Sequence, residues 1–200
     1  MDLLPLVFST GWASGVNAYL VVLMLGVLGR TTDAGVPDAL TRTDVLVVAG
    51  FLFAMEFVAD KIPYIDSTWD TISTAIRPTA GAVIALLVSG DATTLEQAIL
   101  VAVGGGTALA SHVVKTGTRM AINTSPEPVS NVTASLGEDI TVAGVVLLAV
   151  YHPWWALGIS ATLLLTGMTV VVLLMRRIQR ARRRRREQRE NRSQPRSTRP

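Results

Sequence analysis

Long uncharged apolar runs, separated by short polar segments, make up most of this chain. Leu3 to Leu28 carries no charge and is long enough to span a bilayer, which needs about 20 apolar residues in helical form. Three further runs follow, Val45 to Ile62, Leu95 to about Ile122, and Ile140 to Tyr151. Each follows a pair spaced as in a capping box, where a hydroxyl caps the first turn and an acid or amide three residues on reaches back. The pairs are Thr41 with Asp44, Thr94 with Gln97, and Ser135 with Glu138; a fourth, Ser67 with Asp70, opens a shorter amphipathic helix. Thr79 to Ser89 is too short to span alone and is expected to continue the Trp69 to Arg77 helix through Pro78 as a bent unit. Trp154 to Met175 is the cleanest span, with paired tryptophans at its mouth as in an interfacial belt. The pattern predicts an all-α polytopic transmembrane bundle of about six spans.

Composition agrees. Half of the 200 residues are apolar, and the mean hydropathy of +0.43 is too high for an ordinary soluble domain. No cysteine is present, which excludes disulfides, thiolate metal sites and cysteine nucleophiles. Asp2 stands where a signal peptide would carry positive charge, so the first run reads as a retained helix rather than one cleaved after Ala13.

Charge divides the chain into a transmembrane domain, 1–175, and a basic tail, 176–200. From Arg176 onward there are 12 Arg and 2 Glu, a net charge of +10, while the residues before it hold 6 basic and 13 acidic groups, net −7. The tail begins at the membrane edge, where the positive-inside rule counts most, and predicts a cytoplasmic C-terminus in a multi-pass plasma-membrane protein. Six spans would place the N-terminus inside as well and the Thr31 to Asp44 loop outside; an odd count would reverse that half. The tail reads as a disordered polybasic segment touching anionic lipid headgroups, in preference to a nucleic-acid-binding arm.

Ionisable residues inside the apolar runs are costly and mark candidate function. Glu56 and Asp60 lie four apart, on one helix face, with Lys61 turned aside; His112, Lys115 and Arg119 share a face of another helix. The acidic and basic stripes are expected to meet. Arg77 sits beside the Pro78 bend, and Asn17 follows a Gly11/Gly15 pair spaced for close helix packing. Two readings stay open: electrostatic glue between helices, or a polar pathway lined by Asn17, Glu56, Asp60, Lys61, Arg77, His112, Lys115 and Arg119. Gly104, Gly105 and Gly106 allow either a helix break or a close helix contact. The two proline loops, Ile62 to Arg77 and Ile122 to Leu136, each carry an amphipathic spacing, Trp69/Ile72/Ile76 and Val129/Val132/Leu136, and predict two short amphipathic or re-entrant segments in a degenerate repeat.

These residues also carry a resemblance. Gly11-Trp-Ala-Ser-Gly-Val-Asn-Ala-Tyr19, Glu56 to Pro63 with Asp66, Ser67, Trp69 and Asp70, and Ile76-Arg-Pro-Thr-Ala-Gly81 are part of it. Ser111-His112 through Lys115, Arg119, Asn123 to Pro128, Ser130-Asn131 and Glu138-Asp139 complete it. Together, over roughly Ser9 to Pro153, they resemble the family called domain of unknown function 4126. The resemblance implies a small polytopic membrane protein and supplies no activity.

Enzyme motifs do not emerge: there is no G-x-S-x-G elbow, H-E-x-x-H or phosphate-binding loop. Ser111 beside His112 is no dyad, since helical neighbours point about 100° apart. Asn131-Val-Thr133 matches a glycosylation sequon on a loop expected to be cytoplasmic, so it is read as chance. The reading is a small transporter or channel-like carrier for an ion or small solute, with a non-transporting membrane scaffold or assembly subunit as the alternative. No cofactor, metal or nucleic acid is expected. The expected partners are the bilayer, anionic headgroups at the tail, and a second copy of the chain in a homo-oligomer.

Overall fold

The computed structural model describes residues 3–122 and 128–193. They form seven helices: α1 (Leu3–Thr31), α2 (Asp38–Thr41), α3 (Thr43–Ala59), α4 (Pro63–Ser89), α5 (Thr94–Ile122), α6 (Pro128–Tyr151) and α7 (Pro153–Ser193). The all-α polytopic bundle expected from the pattern is the architecture found. A helix that is apolar all round belongs in the middle, and α1 is that helix. It is two-thirds buried by the others, whereas the α7 span is only 6% buried.

Neighbouring contacts fix the chain directions. Near its start α1 packs Val7 with Ala85 of α4 and Leu100 of α5, and Leu6 with Ala149 of α6 and Ala156 of α7. Ala85 is near the end of α4 and Leu100 near the start of α5, so α1 runs antiparallel to α4 and parallel to α5. By the same argument it is antiparallel to α6 and parallel to α7. Since α1 ends on the face where α4 begins, α2 and α3 join two points on one side of the bundle.

Five helices among the described residues, α1, α4, α5, α6 and α7, are long and apolar enough to cross a membrane. The sixth apolar run, α3, starts against the end of α1, where Arg30 donates to the Thr41 carbonyl and the Thr43 hydroxyl. It finishes against Lys115, Arg119 and Asn131, level with the middle of α1, whose Val16 carbonyl Lys115 also contacts. Because α1 and α7 run parallel, α1 starts at the end of the bundle opposite the tail and the loop after Thr31 lies at the tail's end, which differs from the expected placement of both termini on one side. Periodicity could not reveal this, because a 17-residue apolar helix has the composition of a span whichever way the chain turns after it.

Helix starts also differ from the expected capping pairs. Ser67 and Ser135 fall inside α4 and α6, which begin earlier, at Pro63 and Pro128; proline fits a first turn because its missing N–H has no partner there anyway. The amphipathic segments are thus the opening turns of α4 and α6, not separate helices. Asp44 turns back onto Arg42, 2.7 Å away, and that guanidinium holds its carboxyl at about 2. At α5 the box exists one residue upstream: Glu96 accepts from the Thr93 amide at 2.9 Å while Thr93 accepts from the Glu96 amide. Gln97 instead donates to the carbonyl of Gly90, whose positive φ makes the α4–α5 turn.

The first part of the basic tail is helical. Its backbone continues α7 as far as Ser193, since arginine is a good helix former and no glycine or proline interrupts residues 176–193. Residues 194–200 lie outside the described residues.

Candidate functional site: a charged cluster at the break in α1

Helix α1 is broken at its middle. Asn17 has extended backbone angles (φ −150°, ψ 94°), with fourteen helical residues on either side. Its side chain repairs one half of the damage, because Oδ1 accepts from the Leu20 amide at 3.0 Å, the hydrogen bond of a helix N-cap. Its Nδ2 donates to Oδ1 of Asp139 on α6, also at 3.0 Å. On the other side of the break, the Val16 carbonyl accepts from Nζ of Lys115 on α5 at 3.1 Å. A half-helix start thus faces a carboxylate and a half-helix end faces an ammonium, the signs that the helix dipole favours.

The two charged stripes meet as their spacing predicted. From α3, Glu56 takes Nη2 of Arg77 on α4 at 2.5 Å and lies 3.5 Å from Lys115 Nζ. Asp60, just beyond α3, lies 2.9 Å from Lys115 and 3.4 Å from Arg119. Arg119 then forks onto both oxygens of Glu138 at 3.1 and 2.5 Å. It also donates to Asn131 Oδ1 and to the Asp60 carbonyl, which Asn131 Nδ2 caps as well. Arg77, Glu56 and Arg119 are at most 1% exposed. Pairing is obligatory at that depth, because an isolated buried charge is prohibitively expensive.

His112 belongs to this network without carrying charge. Arg77 Nη1 lies 2.8 Å from its Nδ1, and a guanidinium can only donate, so Nδ1 accepts. The proton is therefore on Nε2 and is donated to Thr74 Oγ1 at 3.0 Å; Thr74 passes its own proton to the Asp70 carbonyl. Asp70 completes the set as a second acid beside Arg77, at 3.0 Å.

Of the eight residues expected to line a pathway, Glu56, Asp60, Arg77, His112, Lys115 and Arg119 form one continuous network, and Asn17 adjoins it at the break. Lys61 stays apart. Its ammonium caps the Phe57 carbonyl at 2.6 Å and sits over the Phe57 ring. The expected helix break at Gly104, Gly105 and Gly106 is corrected: α5 runs unbroken through them, and the break lies in α1. The glycines serve helix approach instead. A Cβ on Gly104 would stand 2.6 Å from the Gly81 carbonyl of α4, and Gly11 of α1 abuts Gly104 from the other side.

Sequence reasoning left Asp70, Thr74, Asn131, Glu138 and Asp139 out of the site. The seven-residue spacing from Asp70 to Arg77, two helical turns, was a readable signal. Asn131 was hidden by its sequon, yet it is buried against Arg119 and Asp60. Among the described residues no group of three or more His, Asp or Glu side chains is arranged to hold a metal ion.

Beside the cluster, α1, α5, α6 and α7 leave a cavity of about 270 Å³. Trp12, Val16 and Leu163 give it apolar walls, while Ser111, Lys115 and Glu138 supply its polar side. The fold and this site define a multi-pass helical membrane protein with an ionic network inside its bundle. The chain belongs to the family described as Domain of unknown function (DUF4126), whose model matches residues 4–173. That match runs from the start of α1 into α7 and leaves out the arginine tail, 176–200. Comparison with curated proteins and with solved structures gives no match.

Proposed function

We propose that this protein is a small, non-enzymatic transporter or channel-like carrier that moves an ion or small solute through the charged cluster. The observation that carries the reading is the break at Asn17. A scaffold is served by an intact central helix, whereas a mid-membrane break exposes a backbone carbonyl and a half-helix start where ions are bound in many carriers. Here both ends of the break face ionised side chains, and a cavity reaches the same point.

In this reading the chain sits in the plasma membrane with its C-terminus in the cytoplasm. Charge supports that orientation. The α4–α5 end carries Asp91 and Glu96, and residues 78–114 contain no Lys or Arg, while Arg30, Arg42, Lys61 and the arginine tail all lie towards the other face. Helix α3 then forms the inner-leaflet cover of the cluster, fastened by Glu56 and by the Asp60 carbonyl. The helical arginine extension contacts anionic headgroups, and homo-oligomers form through the exposed apolar faces of α3 and α7.

The test is flux. Protein in liposomes should dissipate an imposed ion or pH gradient faster than empty liposomes, and Asp60→Asn should abolish the effect while the chain still folds. The second reading, a membrane scaffold, draws support from the near-complete pairing of the cluster. Absence of flux across protons, alkali and divalent cations and small anions would make it the better one.

A further inference from the structure

Lys115 occupies a cage. Its ammonium lies 3.1 Å from the Val16 carbonyl at the α1 break, 2.9 Å from Asp60 Oδ2, 3.5 Å from Glu56 Oε1 and 3.6 Å from Glu138 Oε2. Four oxygens from α1, α3, the α3–α4 turn and α6 converge on one cation brought in by α5. Three are anionic, and the fourth belongs to a carbonyl left outside the regular helix by Asn17.

Charge goes beyond what Lys115 neutralises. Among the described residues of the cluster, the five carboxylates of Glu56, Asp60, Asp70, Glu138 and Asp139 face the cations Arg77, Lys115 and Arg119, with Lys61 at the edge as a fourth that interacts electrostatically with Asp60 and Asp139. Second oxygens of Glu56, Asp60 and Asp139 are enclosed without a hydrogen-bond partner among the described residues. The network therefore has electrostatic room for a cation besides Lys115. The cavity of about 270 Å³ is lined by Lys115, Val16 and Glu138, so the lysine side chain has space to move into without leaving the cage's edge.

We infer that the cage is a binding site for a free ammonium or primary alkylammonium ion, with the Lys115 side chain as a tethered occupant that yields to it by turning into the cavity. The distances of 2.9–3.6 Å are those of N–H···O contacts and ion pairs around an ammonium. Divalent ions do not suit it, since calcium takes six to eight oxygens at about 2.3–2.6 Å and magnesium six at about 2.0–2.1 Å. A primary ammonium donates three hydrogen bonds, which four oxygens can receive. This names the substrate class of the transport reading and rests on it only for the movement of the ion, not for its binding.

Melting of the full chain in detergent, followed against methylammonium chloride, tests it. Tetramethylammonium, sodium and potassium chlorides at equal ionic strength serve as controls. Lys115→Ala should melt below wild type and recover saturably with methylammonium, which replaces the lost ammonium. Its half-saturating concentration should be at least about tenfold below that of wild type, because the tethered competitor is gone. Tetramethylammonium, which cannot donate, should do nothing. Equal responses to all salts, or no response, overturn the cage; a potassium response matching methylammonium overturns the ammonium class. Should Lys115→Ala not fold, wild type decides. Stabilisation by methylammonium that Glu138→Gln removes supports the cage, and no stabilisation of wild type overturns it. Methylammonium binding without flux keeps the cage and removes the transport reading, whereas flux without methylammonium specificity does the reverse.

Discussion

The Asn17 amide joins the break in α1 to Asp139 of α6 across 3.0 Å, while its carbonyl oxygen caps the second half of its own helix at Leu20. One side chain thus holds both the local geometry of the break and its link to the charged cluster. The two roles separate by substitution. Serine retains a capping oxygen and loses the reach to Asp139, whereas leucine loses both.

Asn17→Ser should therefore melt within about 1 kcal/mol of wild type, and Asn17→Leu should lose an additional ~1–2 kcal/mol from the missing cap. In liposomes both should reduce flux, because both release Asp139. Melting in detergent beside flux measures the separation; full flux in Asn17→Ser would show that the link to Asp139 serves stability alone.

The Glu56–Arg77 pair offers a direct test of how the helices are held. Removing Arg77 strands Asp70 and leaves Glu56 with only Lys115, 3.5 Å away, at full burial, and breaking a buried pair costs about 3–5 kcal/mol. Arg77→Met should be severely destabilised. Adding Glu56→Gln removes one of these two charges, so the double variant should recover part of the loss, a coupling of about 0.5–3 kcal/mol. Additive losses in a double-mutant cycle would show that the two side chains do not interact.

Much of this site was legible because charge inside an apolar run is rare and helical spacing is regular. The four-residue step from Glu56 to Asp60 and the seven-residue step from His112 to Arg119 each predict a face, and opposite charge at burial requires the faces to meet. The break was not legible. Three consecutive glycines look weaker than one asparagine, yet Gly104 is held in helix by close packing on Gly81 and Gly11, while Asn17 leaves it because its amide replaces a backbone bond. Chain direction was equally hidden, since α3 has the hydropathy of a span and only the packing of α1 on α4 reveals that those two run antiparallel.

Glycines 104 and 106 should respond in opposite directions. A Cβ on Gly104 would press on the Gly81 carbonyl and, at 2.8 Å, on the Ala85 Cβ, whereas nothing lies within 4 Å of one on Gly106. Gly104→Ala should lower stability by roughly 1–3 kcal/mol through overpacking. Gly106→Ala should be neutral or raise it by up to about 1 kcal/mol, the helix-propensity gain. Melting temperatures of the two single variants decide it; equal losses would mean that both glycines are needed for reasons other than contact.

The antiparallel packing of α1 on α4 makes the sharpest prediction about topology. With α1 antiparallel to α4, the loop after Thr31 and the tail after Arg176 share a face, and the α4–α5 turn lies on the opposite one. The chain has no cysteine, so single cysteines can be read without background. Placed at Ala92, a cysteine should react with an impermeant maleimide in intact cells. At Ala34 or Ser193 it should react only once the membrane is opened, as the proposed cytoplasmic placement of the arginine-bearing face requires. Labelling of both Ala34 and Ala92 from outside would mean that α3 crosses after all, and would undo its proposed role as an inner-leaflet cover of the cluster.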